Sequence, residues 1–277
     1  MVDNICMEVQ MGSVAYGVSN NHSDIDVYGF CIPPKEDIFP HLRGEIIGFG
    51  RQKQRFNQFD PHHIKEPDSG KEYDLAMYSI VKYFSLIMEC NPNMIDSLFV
   101  PRRCVLFSNE LGEMVRERRK LFLHKGAWHK FRGYAYSQLH KIGKANKSNP
   151  KRMADVETYG YDLKFAYHVV RLLLECEQIM IEHDLDITRN RELLKSIRRG
   201  EWTLEYLHEW FEQKEKSLET LYSESSLRYA PDEEAIRILL IDCLEHHFGS
   251  LDNIVKRDVR IENIISEMQS LIDRYQG

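Results

Sequence analysis

Residues 12–29 read GSVAYGVSNNHSDIDVYG, and this stretch decides what kind of fold the chain can have. Gly12 permits close backbone approach. Ser13 can either cap a short helix or offer its hydroxyl and amide to a phosphate oxygen at that helix start. After a polar loop, Asp24 and Asp26 stand one residue apart in a β-like run. Alternate side chains of a strand share a face, so both carboxylates can point at one ion while Ile25 and Val27 face a packed interior. Two carboxylates that close repel one another in an empty site, and a hard divalent cation is the natural compensation. A GS pair or a DxD pair alone is usually a capping turn or a solvated strand. Their conjunction, in this order, puts a triphosphate and a metal side by side.

Outward from that stretch, residues 5–9 and 25–32 read as strands, the second ending at Pro33-Pro34. Residues 46–59 read as one or two further strands interrupted by Gly48 and Gly50, and residues 60–70 as a loop. Residues 71–77 suggest another strand before an apolar-faced helix over 78–90, and Asn91-Pro92-Asn93 reads as a helix stop and turn. From about residue 109 the pattern turns helical, at 110–120, 127–142, 161–181, 190–198, 202–221, 231–246 and 252–274. Between helices, the basic segment 143–153 reads as a mobile loop. The expected class is α+β, with a small mixed sheet core over residues 1–108 and a mostly helical region over 109–277 that contributes to the cleft.

With 37 basic against 43 acidic residues, global attraction to nucleic acid is excluded, and a polyanion needs a local basic patch. No apolar run reaches a membrane span, and MVDNICMEVQMGS is not a leader, so a soluble, unprocessed chain is expected. Six scattered cysteines form no CxxC pair and predict reduced thiols in the cytoplasm. The Asn21-His22-Ser23 glycosylation match is discarded with them. The pairs His62-His63 and His246-His247 present their imidazoles in different directions on regular backbone, which disfavours metal binding. The run Arg116, Arg118, Arg119, Lys120 reads as a solvated face that can join Lys144 to Arg152 in binding an acceptor.

If residues 160–175, GYDLKFAYHVVRLLLE, are helical, Lys164, His168, Arg171 and Glu175 share one polar face. Periodicity alone allows a solvated face or a basic stripe turned to the cleft. In KEYDLAMYS, residues 71–79, Asp74 precedes the expected helix and can serve as its cap, and Glu72 shares its face if the segment is a strand.

The glycine-serine turn, short helix and DxD strand resemble the DNA-polymerase-beta-like nucleotidyltransferase superfamily. More closely, GSVAYG, SDIDVYG, YSIVKYFSLIMECNPNMIDSLF and GYDLKFAYHVVRLLLE resemble the predicted-nucleotidyltransferase group of bacterial and phage genomes, discontinuously to about Trp202. The resemblance implies transfer of a nucleoside monophosphate from a nucleoside triphosphate, ATP among them, to an acceptor hydroxyl, with Mg2+ or alternatively Mn2+. Gly12 and Ser13 would be the phosphate turn, and Asp24, Asp26 and Asp74 the catalytic metal ligands, with Glu72 the rival third acid. Lys164 and Arg171 would clamp phosphate, and His168 would contact phosphate or base. The acceptor is RNA, a protein or a small molecule. Two other classes remain: a nucleotide-responsive interaction protein with little transfer activity, and an RNA-end-binding accessory protein using Lys144 to Arg152 and the Lys164 to Arg171 face.

Overall fold

Short runs of β-branched and aromatic residues near the N-terminus pair into one sheet, and the longer 3.6-period segments cover it. The computed structural model describes residues 3–19, 25–65, 72–143 and 150–251, with residues 264 and 268. Strand β1 (Ile5–Gln10) leads through the one-turn helix α1 (Gly12–Ala15) to β2 (Ile25–Cys31) and the short helix α2 (Lys35–Ile38). Two-residue strands β3 (Gln58–Phe59) and β4 (Ile64–Lys65) precede β5 (Glu72–Ser79). Helices α3 (Ile80–Met88) and α4 (Pro92–Phe99) follow, then β6 (Val105–Ser108). The remainder is helical: α5 (Glu110–Glu117), α6 (Gly126–Leu139), α7 (Pro150–Tyr159), α8 (Leu163–Glu182), α9 (Arg191–Arg198), α10 (Leu204–Glu224) and α11 (Glu233–Phe248). This is a mixed-sheet α+β fold with a largely helical C-terminal region.

The strand order is β3-β5-β2-β1-β6, with β4 also paired to β5. β1 runs antiparallel to β2 and β6, whereas β2 and β5 are parallel, in a register that sets Asp26 against Asp74 and Phe30 against Tyr78. Phe30 stacks on Tyr83 of α3 with centroids 4.8 Å apart. The sheet face carrying Asp26, Tyr28 and Phe30 is therefore the one α3 covers. On β1, α5 approaches so closely that a Cβ on Gly112 would lie 2.4 Å from the Cys6 carbonyl oxygen. The apolar core runs without a break from Met7, Val9 and Phe30 into α3, α4, α6 and α8.

Helix starts follow the caps. Ser79 accepts from the Lys82 amide at α3, Asp162 from Lys164 and Phe165 at α8, and Asp232 from Ala235 at α11. Asn91 accepts from the Met94 amide with Pro92 in the first turn, so Asn91-Pro92-Asn93 starts α4 rather than merely ending α3. Residues 46–59 correct the expected strands. Gly48 and Gly50 take positive φ, and only Gln58–Phe59 enters the sheet. β6 was not expected at all. Arg152 and Met153 lie in α7, not in a loop, and residues 144–149 fall outside the described residues. So does the expected helix 252–274, apart from its residues 264 and 268. Arg116 is buried, its guanidinium donating to the Val100 carbonyl, and is not part of a solvated face.

Candidate active site

Met11 closes β1 by donating its amide to the Asp26 carbonyl at 2.7 Å, which places the first turn of α1 directly over the start of β2. Gly12 takes φ +69°, and a Cβ there would lie 2.1 Å from Asp26 Oδ2. The Asp26 carboxylate thus rests in space that any other residue at position 12 would occupy. The cap position of α1 is Met11, without a side-chain cap bond, so Ser13 is not the cap and stands half-buried in the first turn. Gly12→Ala is expected to lower thermal stability by about 1–3 kcal/mol, from positive-φ strain and the displaced carboxylate. A calorimetric scan reads the loss, and an unchanged melting temperature would show that the carboxylate need not rest there.

Neighbouring strands lie about 4.8 Å apart, so the paired Asp26 and Asp74 bring their carboxylates to adjoining places on one sheet face. Asp74 is inside β5, five residues before the Ser79 cap, and the helix-cap reading of it is overturned. Its Oδ1 accepts from the His63 amide at 2.7 Å, with His62 Nδ1 at 3.6 Å. Glu72 shares that face but pairs outward with Lys65 Nζ at 3.3 Å and His63 Nδ1 at 3.7 Å. Asp24 lies outside the described residues. Among the described residues no group of three or more His, Cys, Asp or Glu side chains is arranged to hold a metal. Asp26 and Asp74 supply two hard oxygen donors, the kind a divalent cation such as magnesium takes.

Aromatic and basic groups wall this face. Burial pushes the Tyr28 hydroxyl far up, with Tyr78, Asp26, Tyr134 and Asp74 adding in that order. The Tyr167 hydroxyl is also pushed up, mainly by burial. His168 stacks on Tyr167 at 4.2 Å and is held well below the ordinary histidine range, first by desolvation and then by Arg171, Lys164, Arg198 and Arg152. It is neutral at pH 7. Lys164 is exposed. Arg198 donates to the Val18 carbonyl at 2.6 Å and lies over the Tyr167 ring, tying α9 to the chain just beyond α1.

Arg171 is enclosed. It is 2% exposed and is ion-paired with Asp96 and Glu175, while Tyr16 donates its hydroxyl to Asp96 at 2.8 Å. The solvated-face reading of α8 therefore fails at Arg171 and Glu175. Arg171 sits 4.2 Å from the Tyr16 ring centroid, behind the turn. The sequence reading missed Tyr16, Asp96, Tyr167 and Arg198. The one signal for Asp96 was a lone acid inside the apolar MIDSLF.

The sequence model of the RNA repair pathway DNA polymerase beta family, RlaP, matches residues 3–236. The chain belongs to that family. Membership makes it a nucleotidyltransferase-like protein of the polymerase-beta superfamily, and the RlaP match runs from β1 into α11, spanning the Gly12 turn, β2, β5 and α8. Among solved structures, a nucleotidyltransferase-like protein from Exiguobacterium sibiricum is similar at 8% identity, over 99% of this chain and 86% of that one, with a TM-score of 0.29. No curated protein matches the sequence. No helix among the described residues of this RlaP member is long and apolar enough to cross a membrane.

Proposed function

We propose that the chain is a Mg2+-dependent nucleotidyltransferase, with Mn2+ as the alternative cation, that moves a nucleoside monophosphate from a nucleoside triphosphate to the terminal hydroxyl of an RNA. The observation that carries the reading is the Asp26–Asp74 register, with Gly12 cut back to make room for the Asp26 carboxylate. The RNA repair wording of the family supports RNA as the acceptor over a protein or a small molecule. Six buried free cysteines suit a reducing compartment such as the cytoplasm.

Asp24, Asp26 and Asp74 would hold the cation, which when bound offsets triphosphate charge and acidifies the attacking hydroxyl. Gly12 and Ser13 present backbone and hydroxyl donors to phosphate oxygens at the start of α1. Lys164 supplies positive charge from α8, and neutral His168 offers a ring nitrogen to phosphate or base. Arg171, committed to Asp96 and Glu175, acts through Tyr16 on the turn instead of clamping phosphate directly. The acceptor oxygen forms a bond to the α-phosphorus, the bond from that phosphorus to the pyrophosphate oxygen breaks, and the hydroxyl proton passes to Asp74. Incorporation of α-labelled nucleotide into RNA under Mg2+, abolished by chelation, is the test. Absence of incorporation into RNA, protein and small metabolites under Mg2+ and Mn2+ would overturn the reading in favour of an interaction protein.

Asp74→Asn is expected to slow single-turnover transfer at saturating nucleotide by about a hundredfold or more, with nucleoside triphosphate affinity changed much less. Asp24, Asp26 and the Gly12 turn still hold the triphosphate in that variant. Glu72→Gln is the comparison, and its outward ion pairs predict a nearly unchanged rate. A selective defect in Glu72→Gln alongside a normal Asp74→Asn would move the third acid to Glu72.

A further inference from the structure

Beside the catalytic face, residues 43–65 form a ribbon whose second half, from Asn57 to Lys65, runs along the outer edge of β5. The Asn57 carbonyl accepts from Ser79, Gln58 and Phe59 pair with Tyr78 and Met77, and the Pro61 carbonyl accepts from Leu75. Further on, His63 donates to Asp74, and Ile64 and Lys65 pair with Tyr73 and Glu72. From Ser79 to Asp74 this is about 17 Å of strand, and it ends on a carboxylate of the proposed site.

The composition of the ribbon is unlike that of the whole. Residues 43–65 carry five lysines and arginines against two acids, in a chain of net charge −6. Arg43, Arg55 and Lys65 pair with Asp37, Glu45 and Glu72. Exposed Arg51 and Lys53 make no ion pair among the described residues. Between them, the Gln52 side chain accepts from the Gly48 amide and donates to the carbonyls of Ile46 and Phe49, fixing a turn that leaves Phe49 78% exposed. Between the ribbon and the end of β5 lies a recess of about 450 Å3, lined by Asp37, Ile47, Lys53, Arg55, Phe56 and Ser79 among others, with Asp37 paired to Arg43 and Arg55 to Glu45. Two exposed cations without an acid among the described residues, an exposed aromatic ring on a fixed turn and a recess that Lys53 reaches make a phosphate track with a stacking platform.

We infer that this ribbon binds the single-stranded RNA acceptor, with Phe49 stacking on a base, Arg51 and Lys53 on the phosphates, and the strand running along β5 toward Asp74. The inference rests on the RNA acceptor proposed above and adds the path by which that acceptor reaches the site. A protein partner would account for the exposed Ile46, Ile47 and Phe49, but not for the two exposed cations, Arg51 and Lys53, at the head of a ribbon that runs along β5 to Asp74.

Fluorescence anisotropy of a labelled RNA oligomer of about 12 nucleotides, without nucleotide and across a KCl series, tests it on the full chain. Arg51→Ala/Lys53→Ala should weaken binding about tenfold and make the salt slope shallower by about 1.4, or 0.7 for each phosphate released. Phe49→Ala should weaken binding about tenfold with the slope unchanged. These side chains are exposed, so melting temperatures should match the wild type. Wild-type RNA affinity and slope in these variants would overturn the inference, as would absence of RNA binding by the wild type; in the first case the exposed turn would be left to a protein partner. Because the assay needs no turnover, ribbon-dependent binding without nucleotide incorporation would sustain the ribbon and sink only the transferase reading. Incorporation into RNA at wild-type KM by the ribbon variants would do the reverse.

Discussion

Asp26→Asn should lose transfer activity by about a thousandfold or more while keeping its fold. The Asp26 carboxylate oxygen lies where a Cβ on Gly12 would be, so the space is shaped for a four-atom planar group, and asparagine fits it with almost no change in volume. What the exchange removes is charge, on the strand position that directly faces Asp74. Asp24→Asn is expected to behave alike on the sequence argument. In the absence of metal, the Asp26→Asn protein should be equally stable or slightly more so, since one of two adjoining carboxylates is gone. With Mg2+ and nucleotide present the order should reverse, because ligand binding stabilises the wild type more. Single-turnover transfer and melting curves with and without Mg2+ and nucleotide read all of this. Magnesium-dependent turnover retained in both variants would remove these residues from the chemistry.

The parts of this site that were legible are the local ones. SDIDVYG reads as a strand bearing carboxylates because its period is two, and GSVAYG reads as a tight turn because glycine is needed there. Asp74 was ambiguous between cap and ligand for a physical reason: both Asp74 and Ser79 are good cap residues, and only the non-local pairing of β2 with β5 shows which one ends the strand. Residues 46–59 misled because β-branched and aromatic side chains favour strands, yet Gly48 and Gly50 at positive φ turn the chain before any ladder forms. On α8, helical spacing grouped Lys164, His168, Arg171 and Glu175 on one face correctly. It could not separate the exposed lysine from the enclosed arginine, since the acid that encloses Arg171 comes from α4, 75 residues earlier.

That enclosed arginine carries the largest expected effect on stability. Arg171→Met should destabilise the fold by about 3–5 kcal/mol at pH 8, because it leaves the buried Asp96 and Glu175 carboxyls without their cation. Methionine fills much of the arginine stem, so the loss reports the charge more than a cavity. The pH dependence has a fixed sign. Burial pushes Asp96 above its ordinary value and Glu175 well above, with Arg171 opposing in both cases. Raised carboxyl values mean that the folded state holds protons the unfolded state has released. The stabilisation is present below the unfolded carboxylate values and is lost as pH rises through the folded ones. Urea melts of the Arg171→Met protein should therefore recover part of the loss as pH falls from 8 toward about 5, where the orphaned acids are more fully protonated. Glu175→Gln provides the control, since it removes the acid with the most strongly raised value and leaves Arg171 with Asp96. It should match or exceed wild-type stability at pH 8, with the difference shrinking as pH falls. If Arg171→Met stays within about 1 kcal/mol of wild type across that range, the cluster is not an ion network holding α8 to α4, and Tyr16 is held by its hydrogen bond to Asp96 and by packing without help from Arg171.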